Sequence, residues 1–161
     1  TITEAVFLNG GLFPDLHHPT RMQKLVAGPL GPLMARLANE KTYSRGLQEV
    51  MNKPPSAEEL HQHWLATSRD GGKLVLPKLL GYIAERRANE ERWVGALTGT
   101  PEVPKRFVWG PEDPVSGAHV LPEIRSRVPG ADVHVIEGVG HWPQLEDVAA
   151  VAAALRLGPS G

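Results

Sequence analysis

The stretch from Pro104 to Asp147 constrains the chain most, because it writes two strands in succession and ends each on a loop carrying an ionisable side chain. Arg106 to Trp109 is a short aromatic and β-branched run that Gly110 and Pro111 bring to a stop. Asp113 then lies on the loop just past a strand end. Pro122 to Val128 reads as a short helix, with Pro tolerated in its first turn and Pro129-Gly130 closing it. Ala131 to Glu137 reads as the next strand, and Gly138 and Gly140 flank the loop that holds His141. Strand-helix-strand connections within one sheet are parallel and right-handed, so both loops fall on the same edge, where open α/β sheets build their sites. Asp113 and His141 are therefore expected to meet.

Three further segments complete the outline. Glu4 to Leu8 is apolar in the manner of a parallel strand, and Asn9-Gly10-Gly11 ends it at that same edge. Asn9 is a candidate neighbour of the site, or a residue supplying the left-handed backbone a tight turn needs. From Phe13 onward the chain is broken by Pro and Gly, with helical pieces expected at Thr20 to Val26 and Leu30 to Ala38. Ser56 with Glu59 makes a capping box that opens a helix to Ala66. Asp70-Gly71-Gly72 makes a turn, and Leu74 to Leu97 follows with a stripe of Leu76, Leu79, Leu80 and Ile83 beside a solvated charged run, Glu85 to Arg92. Glu146 to Leu157 reads as a closing helix, with Glu146 and Asp147 as negative charge at its start and Gly158 to Gly161 fraying. The expected division is 1–12, core strand and turn; 13–99, an inserted helical cap; and 100–161, the C-terminal core.

Composition narrows the partners. A net charge of -1 with mixed signs gives no field that would attract nucleic acid. No run approaches the roughly 20 apolar residues of a membrane helix, so no membrane segment is expected in this piece. The absence of cysteine excludes disulfides and thiolate chemistry within it. His61 and His63 point to different faces of a helix and His17-His18 is a loop pair, so neither a metal nor a cofactor is expected. No feature assigns a compartment. The chain opens inside what reads as a strand, Thr1 to Asn9, and is expected to be a piece of a longer protein.

The motifs WGPEDPV and GVGHWPQLED resemble the acid and histidine motifs of the epoxide hydrolase and haloalkane dehalogenase branch of the α/β-hydrolase superfamily. FLNGGLFPDLHHPT, YSRGL, DGGKLV, LLGYIAERR and RWVGAL are similar, in that order, to the mesoderm-specific transcript protein family within it. The resemblance implies an α/β fold, the C-terminal part of an α/β-hydrolase, whose nucleophile lies on a strand-to-helix elbow. No G-x-S-x-G elbow occurs in these residues. The partner expected in the complete fold is thus its own N-terminal half.

The resemblance further implies that Asp113 orients His141, which takes and returns a proton near neutral pH. Glu112, Glu146 and Asp147 are alternatives for the acid. Tyr82, in LLGYIAERR, matches a lid tyrosine that hydrogen-bonds an epoxide oxygen. Against it stands a plain reading as an aromatic at a helix edge, and the usual second tyrosine has no match, since YSRGL places Tyr43 elsewhere. Trp109, Trp142 and Asn9 are expected to line a pocket for a small apolar substrate. The expected reaction is epoxide opening through an alkyl-enzyme ester. Alternatives on the same scaffold are dehalogenation, with Asn9 as a possible halide donor, ester hydrolysis by an elbow serine, and a non-catalytic binding role.

Overall fold

The computed structural model describes residues 2–156 of the chain. Three parallel strands, β1 (Ala5–Leu8), β2 (Lys105–Trp109) and β3 (Asp132–Val135), form one sheet in the order β1-β2-β3. Phe7 pairs with Phe107 and Phe107 with Val133, so one sheet face carries a row of apolar side chains, with the Phe7 and Phe107 rings stacked at 5.1 Å. β2 lies between the other two and every one of its residues is buried. All three strands end at one edge, because parallel pairing gives their C-terminal ends no alternative.

Between β1 and β2 the chain is helical. A 3-10 turn at Pro14–Leu16 leads into α1 (Arg21–Ala27), α2 (Gly31–Leu37), α3 (Glu40–Gln48) and α4 (Ala57–Ser68). Capping boxes open three of these: Thr20 with Gln23, Asn39 with Thr42, and Ser56 with Glu59. The left-handed Asp70 and Gly71 make the next turn. Beyond them, the stretch expected as one stripe from Leu74 to Leu97 divides into α5 (Leu76–Leu79), α6 (Tyr82–Ala88) and α7 (Glu90–Thr98). The breaks fall at Gly81, a poor helix residue, and at Asn89, whose side chain bonds back to the Glu85 carbonyl. Within the charged run, Arg86 is not solvated: it turns inward, half-buried, and donates to the Gly11 carbonyl. Among the described residues no helix is long and apolar enough to cross a membrane.

After β2 come a 3-10 turn at Ala118–Val120 and α8 (Leu121–Arg127); after β3 come α9 (Pro143–Glu146) and α10 (Val148–Arg156). The closing helix therefore starts after Asp147, whose carboxylate caps it by accepting from the Ala150 amide at 2.9 Å. Residues 158–161, where fraying was expected, and Leu157, the expected end of the closing helix, lie outside the described part. Phe107, Trp109, Val120, Ile124 and Val128 form the core on one face of the sheet, and Val108, Val151 and Ala154 form it on the other. Phe13 is 1% exposed in the first of these, and Val94 and Leu97 pack against it, so the sheet core reaches into both ends of the 13–99 segment.

Arg106 ties the elements together from within β2. Its side chain is 3% exposed, yet Nε donates to Asp132 of β3 at 2.9 Å and Nη1 to the carbonyls of Ala154 and Leu155 at 3.0 and 3.2 Å, while Nη2 lies 3.5 Å from Glu4. A cation at the C-terminal end of α10 also complements that helix's dipole. Replacing it leaves two carbonyls and a carboxylate without their donor. Arg106→Met is therefore expected to lower unfolding stability by about 2–4 kcal/mol, read from urea denaturation of the full-length protein. A change within about 0.5 kcal/mol would mean these contacts contribute nothing net.

Candidate active site

Asp113 and His141 do meet at the sheet edge. His141 Nδ1 lies 2.7 Å from Asp113 Oδ2, with the carboxylate wholly buried and the imidazole 20% exposed. An ionised carboxylate can only accept, so Nδ1 donates, and Nε2 is the nitrogen left to carry the lone pair whenever the ring is neutral. Three more donors converge on the same acid. Asn9 Nδ2 donates to Oδ2 at 3.0 Å, Ser116 Oγ to Oδ2 at 2.7 Å, and the Val115 amide to Oδ1 at 2.7 Å. The last of these is an Asx turn, so Asp113 is both the turn residue its Asp-Pro context suggests and the partner of His141. Burial alone would push the carboxyl up. Hydrogen bonds from His141, Asn9 and Ser116, with the histidine's charge, outweigh it and bring Asp113 down to about 2 from its ordinary 3.8.

Asn9 belongs to the acid's cradle and not to a substrate wall. Its Nδ2 donates to the Gly110 carbonyl at 2.9 Å as well as to Asp113, and its Oδ1 accepts from the Gly110 amide at 2.7 Å. Both amide hydrogens are used. Its backbone also takes a positive φ of 21°, so the turn reading and the site reading hold together. Ser116, which sequence reasoning passed over, is a buried donor to the acid. A serine three residues after a turn aspartate is a recognisable local signal.

A second carboxylate mounts the histidine loop. Glu146 does not stand as helix-start charge: its Oε2 accepts from the amides of Gly140, Asn52 and Lys53 at 2.9, 2.8 and 2.9 Å, and its Oε1 from the Trp142 amide at 3.2 Å. The amide of His141 itself donates to Val50 at 2.9 Å. A Cβ at Gly140 would lie 2.7 Å from the Val50 oxygen and 2.9 Å from the Asn52 nitrogen, which is why the histidine loop needs glycine there. No local pattern marks this role for Glu146, because two of its partners come from the distant segment after α3.

His141 and Trp142 open on a cavity of about 420 Å³ walled by Val26, Met34, Leu47, Trp64, Leu76 and Leu80. Trp142 packs edge-on against His141, with ring centroids 5.4 Å apart. Tyr43 also faces this cavity, its ring tilted against Trp64 at 5.7 Å and its Oη accepting from Thr67 at 3.1 Å. Tyr82 is elsewhere: it is 40% exposed, stacks under the Arg86 guanidinium at 4.9 Å, and is not part of the wall. Trp109 is not part of this cavity's wall either. It is fully buried in the sheet core, and its indole N–H donates to the Ser116 and Gly117 carbonyls at 2.7 and 3.3 Å. Its place on β2 puts it on the face covered by α8. Among the described residues no three His, Asp or Glu side chains are grouped so as to hold a metal ion.

Parallel strands thus bring an acid and a histidine into contact beside an apolar cavity. A model of the alpha/beta hydrolase family matches residues 2–154, and the chain belongs to that family. It is 39% identical over 153 residues to the mesoderm-specific transcript homolog protein of Homo sapiens, covering 91% of this chain and 45% of that protein. To LipZ of Mycobacterium tuberculosis it is 35% identical over 159 residues, covering 97% of this chain and 55% of that protein. The chain thus spans about half the length of the curated relatives it matches. Among solved structures it is similar to an alpha/beta hydrolase fold protein from Burkholderia ambifaria, with TM-score 0.72 and 17% identity over 96% of this chain and 56% of that one. It is also similar to the Cif epoxide hydrolase from Acinetobacter nosocomialis, with TM-score 0.66 and 16% identity over 96% and 52%. A mutant haloalkane dehalogenase DatA from Agrobacterium tumefaciens gives TM-score 0.64 and 16% identity over 95% and 54%.

Two measurements follow from this geometry. The Asp113 carboxyl is expected to titrate near 2 by carbon NMR. Because its folded value lies below its unfolded one, the stability it contributes is present above its ordinary 3.8 and is lost as pH falls toward 2. A midpoint at or above 3.8 would contradict the four-donor cradle. For Glu146→Ala, the amides of Gly140, Asn52 and Lys53 should exchange with solvent about ten-fold faster or more, while those of β2 change little. Equal exchange in both proteins would show that the brace is not formed.

Proposed function

We propose that the whole protein of which this chain is part hydrolyses a small apolar epoxide through an ester formed on a carboxylate nucleophile. That carboxylate belongs to the part of the protein outside residues 1–161. Its oxygen attacks an epoxide carbon, the ring C–O bond breaks, and the alkoxide takes a proton from a cap tyrosine. His141 Nε2 then accepts a proton from water as the hydroxide adds to the ester carbonyl; collapse releases the diol and restores the carboxylate, and the imidazolium's proton passes back through solvent to the tyrosinate, which returns both groups to their starting state. Asp113 holds the imidazole in the tautomer this needs and stabilises the imidazolium.

The observation that carries the reading is the 2.7 Å Asp113–His141 contact placed at the mouth of an apolar cavity. The Cif epoxide hydrolase shares this fold, so the scaffold is compatible with that substrate class, as it is with the others. Tyr43, rather than Tyr82, is the phenol suited to protonate the alkoxide, because it faces the cavity and accepts from Thr67, which leaves its own proton to give. Dehalogenation loses its candidate halide donor, since the amide of Asn9 is fully engaged.

The test is His141→Gln in the full-length protein with a small aliphatic epoxide such as epoxyhexane. The expected result is a protein whose mass rises by that of the epoxide, with no diol released. Normal turnover by that variant removes His141 from the scheme. In parallel, Tyr43→Phe should slow ring opening by about 100-fold or more, the usual scale for general acid catalysis, and Tyr82→Phe by less than about two-fold. The reverse order would return the role to Tyr82.

A further inference from the structure

A second cavity, of about 360 Å³, lies on the far side of Leu80, which borders both spaces. Pro14, Pro19, Ala27 and Ile83 give it apolar walls, and His17, Arg86 and the exposed Arg87 give it polar side chains. The first two are unusual. His17 is nine-tenths buried, yet neither ring nitrogen has a hydrogen-bond partner. Arg86 has a buried Nε, also without a partner. Buried polar groups without a partner are rare and cost about 1–3 kcal/mol each, so three such nitrogens, two N–H groups and one imidazole acceptor on two side chains that line one cavity, call for an explanation.

The guanidinium is held in place on two sides. One nitrogen donates to the Gly11 carbonyl, and the plane stacks on the Tyr82 ring. Burial pulls its charge down, and the group acting on it besides is Tyr82. No carboxylate compensates this cation among the described residues. Burial, followed by the Arg86 charge, also lowers His17 to about 4, so at neutral pH its ring is uncharged and offers one N–H and one lone pair. A fixed, uncompensated guanidinium edge with a neutral imidazole beside it suits a planar anion with two oxygens. The apolar walls suit a short hydrocarbon tail.

We propose that the cavity between His17 and Arg86 binds a small aliphatic carboxylate, held by Arg86 Nε–H and by the His17 ring. This cavity is distinct from the one His141 lines, although His17 is near enough to feel the charges of His141 and Asp113, and the proposal does not rest on the reaction proposed there. The carboxylate is either a free acid or the far end of a substrate.

The test uses the full-length protein and sodium butyrate, with butyramide as the uncharged control of the same shape. Nitrogen NMR of the Arg86 Nε–H and of the His17 ring should show a saturable shift with butyrate and none with butyramide. This readout needs neither turnover nor a variant, so it stands whether or not the epoxide reading holds. Arg86→Met should weaken butyrate binding by about ten-fold or more, as loss of a charge-assisted hydrogen bond implies. Arg86→Lys, which keeps the charge but not the fork, gives an intermediate loss and guards against misfolding of the methionine variant. No saturable shift with butyrate, an equal response to butyramide, or unchanged affinity in both variants would overturn the proposal. Competition between butyrate and substrate marks the carboxylate as part of a substrate, and binding without competition marks it as a separate ligand.

Discussion

Burying a carboxylate is among the most expensive acts in a small domain, and the Asp113 site organises the sheet edge by meeting that cost. Stripping an ionised carboxyl of water costs several kcal/mol even after relaxation, and it persists only when its lone pairs are filled. Here the donors come from three places in the sequence: Asn9 after β1, Val115 and Ser116 in the acid's own loop, and His141 after β3. Each charge-assisted bond returns about 1.5–3 kcal/mol, so four of them can offset the penalty. The same bonds therefore fold the edge and prepare the histidine. Loss of any one donor leaves the others compensating a buried charge, which makes the edge cooperative by construction.

Glu146 extends that logic from the sheet to the helical insertion. Four backbone amides around one carboxylate fix the histidine loop against the segment after α3. The segment that bears Val50 and Met51 is thereby clamped to the loop that bears His141, and the cavity wall built by α3 inherits its position from that clamp. A carboxylate used in this way sets distance rather than chemistry. Its partners are backbone groups, so the arrangement depends on the path of the chain and hardly at all on which side chains Asn52 or Lys53 carry.

The sequence was legible where the signal is local or periodic. Turn residues closing apolar runs located the three strands, and the capping pair Ser56 and Glu59 located α4. The meeting of Asp113 and His141 followed from parallel connectivity, which depends on topology and not on side-chain detail. What sequence could not supply was facing. Trp109 and Trp142 are both aromatic and both close to the acid or the histidine, yet strand alternation puts Trp109 in the core while the loop after β3 puts Trp142 on the cavity. Tyr43 and Tyr82 were separated by the same kind of information. Leu76 and Leu80 line the cavity, while Tyr82, at the start of α6 beyond the break at Gly81, lies at the surface beside Arg86.

Arg86 shows how such a turn changes the meaning of a residue. In the run Glu85 to Arg92 it reads as one solvated charge among many, and most of its neighbours are indeed exposed. Packing of α6 on the Pro14–Leu16 turn instead places it against the Gly11 carbonyl, just past Asn9, which donates to the acid. A side chain at Gly11 would occupy the space the guanidinium takes, so the second glycine of Asn9-Gly10-Gly11 serves Arg86 while the asparagine serves Asp113. One three-residue turn thus supports two polar centres, and a substitution within it would disturb both the histidine's acid and the His17 cavity.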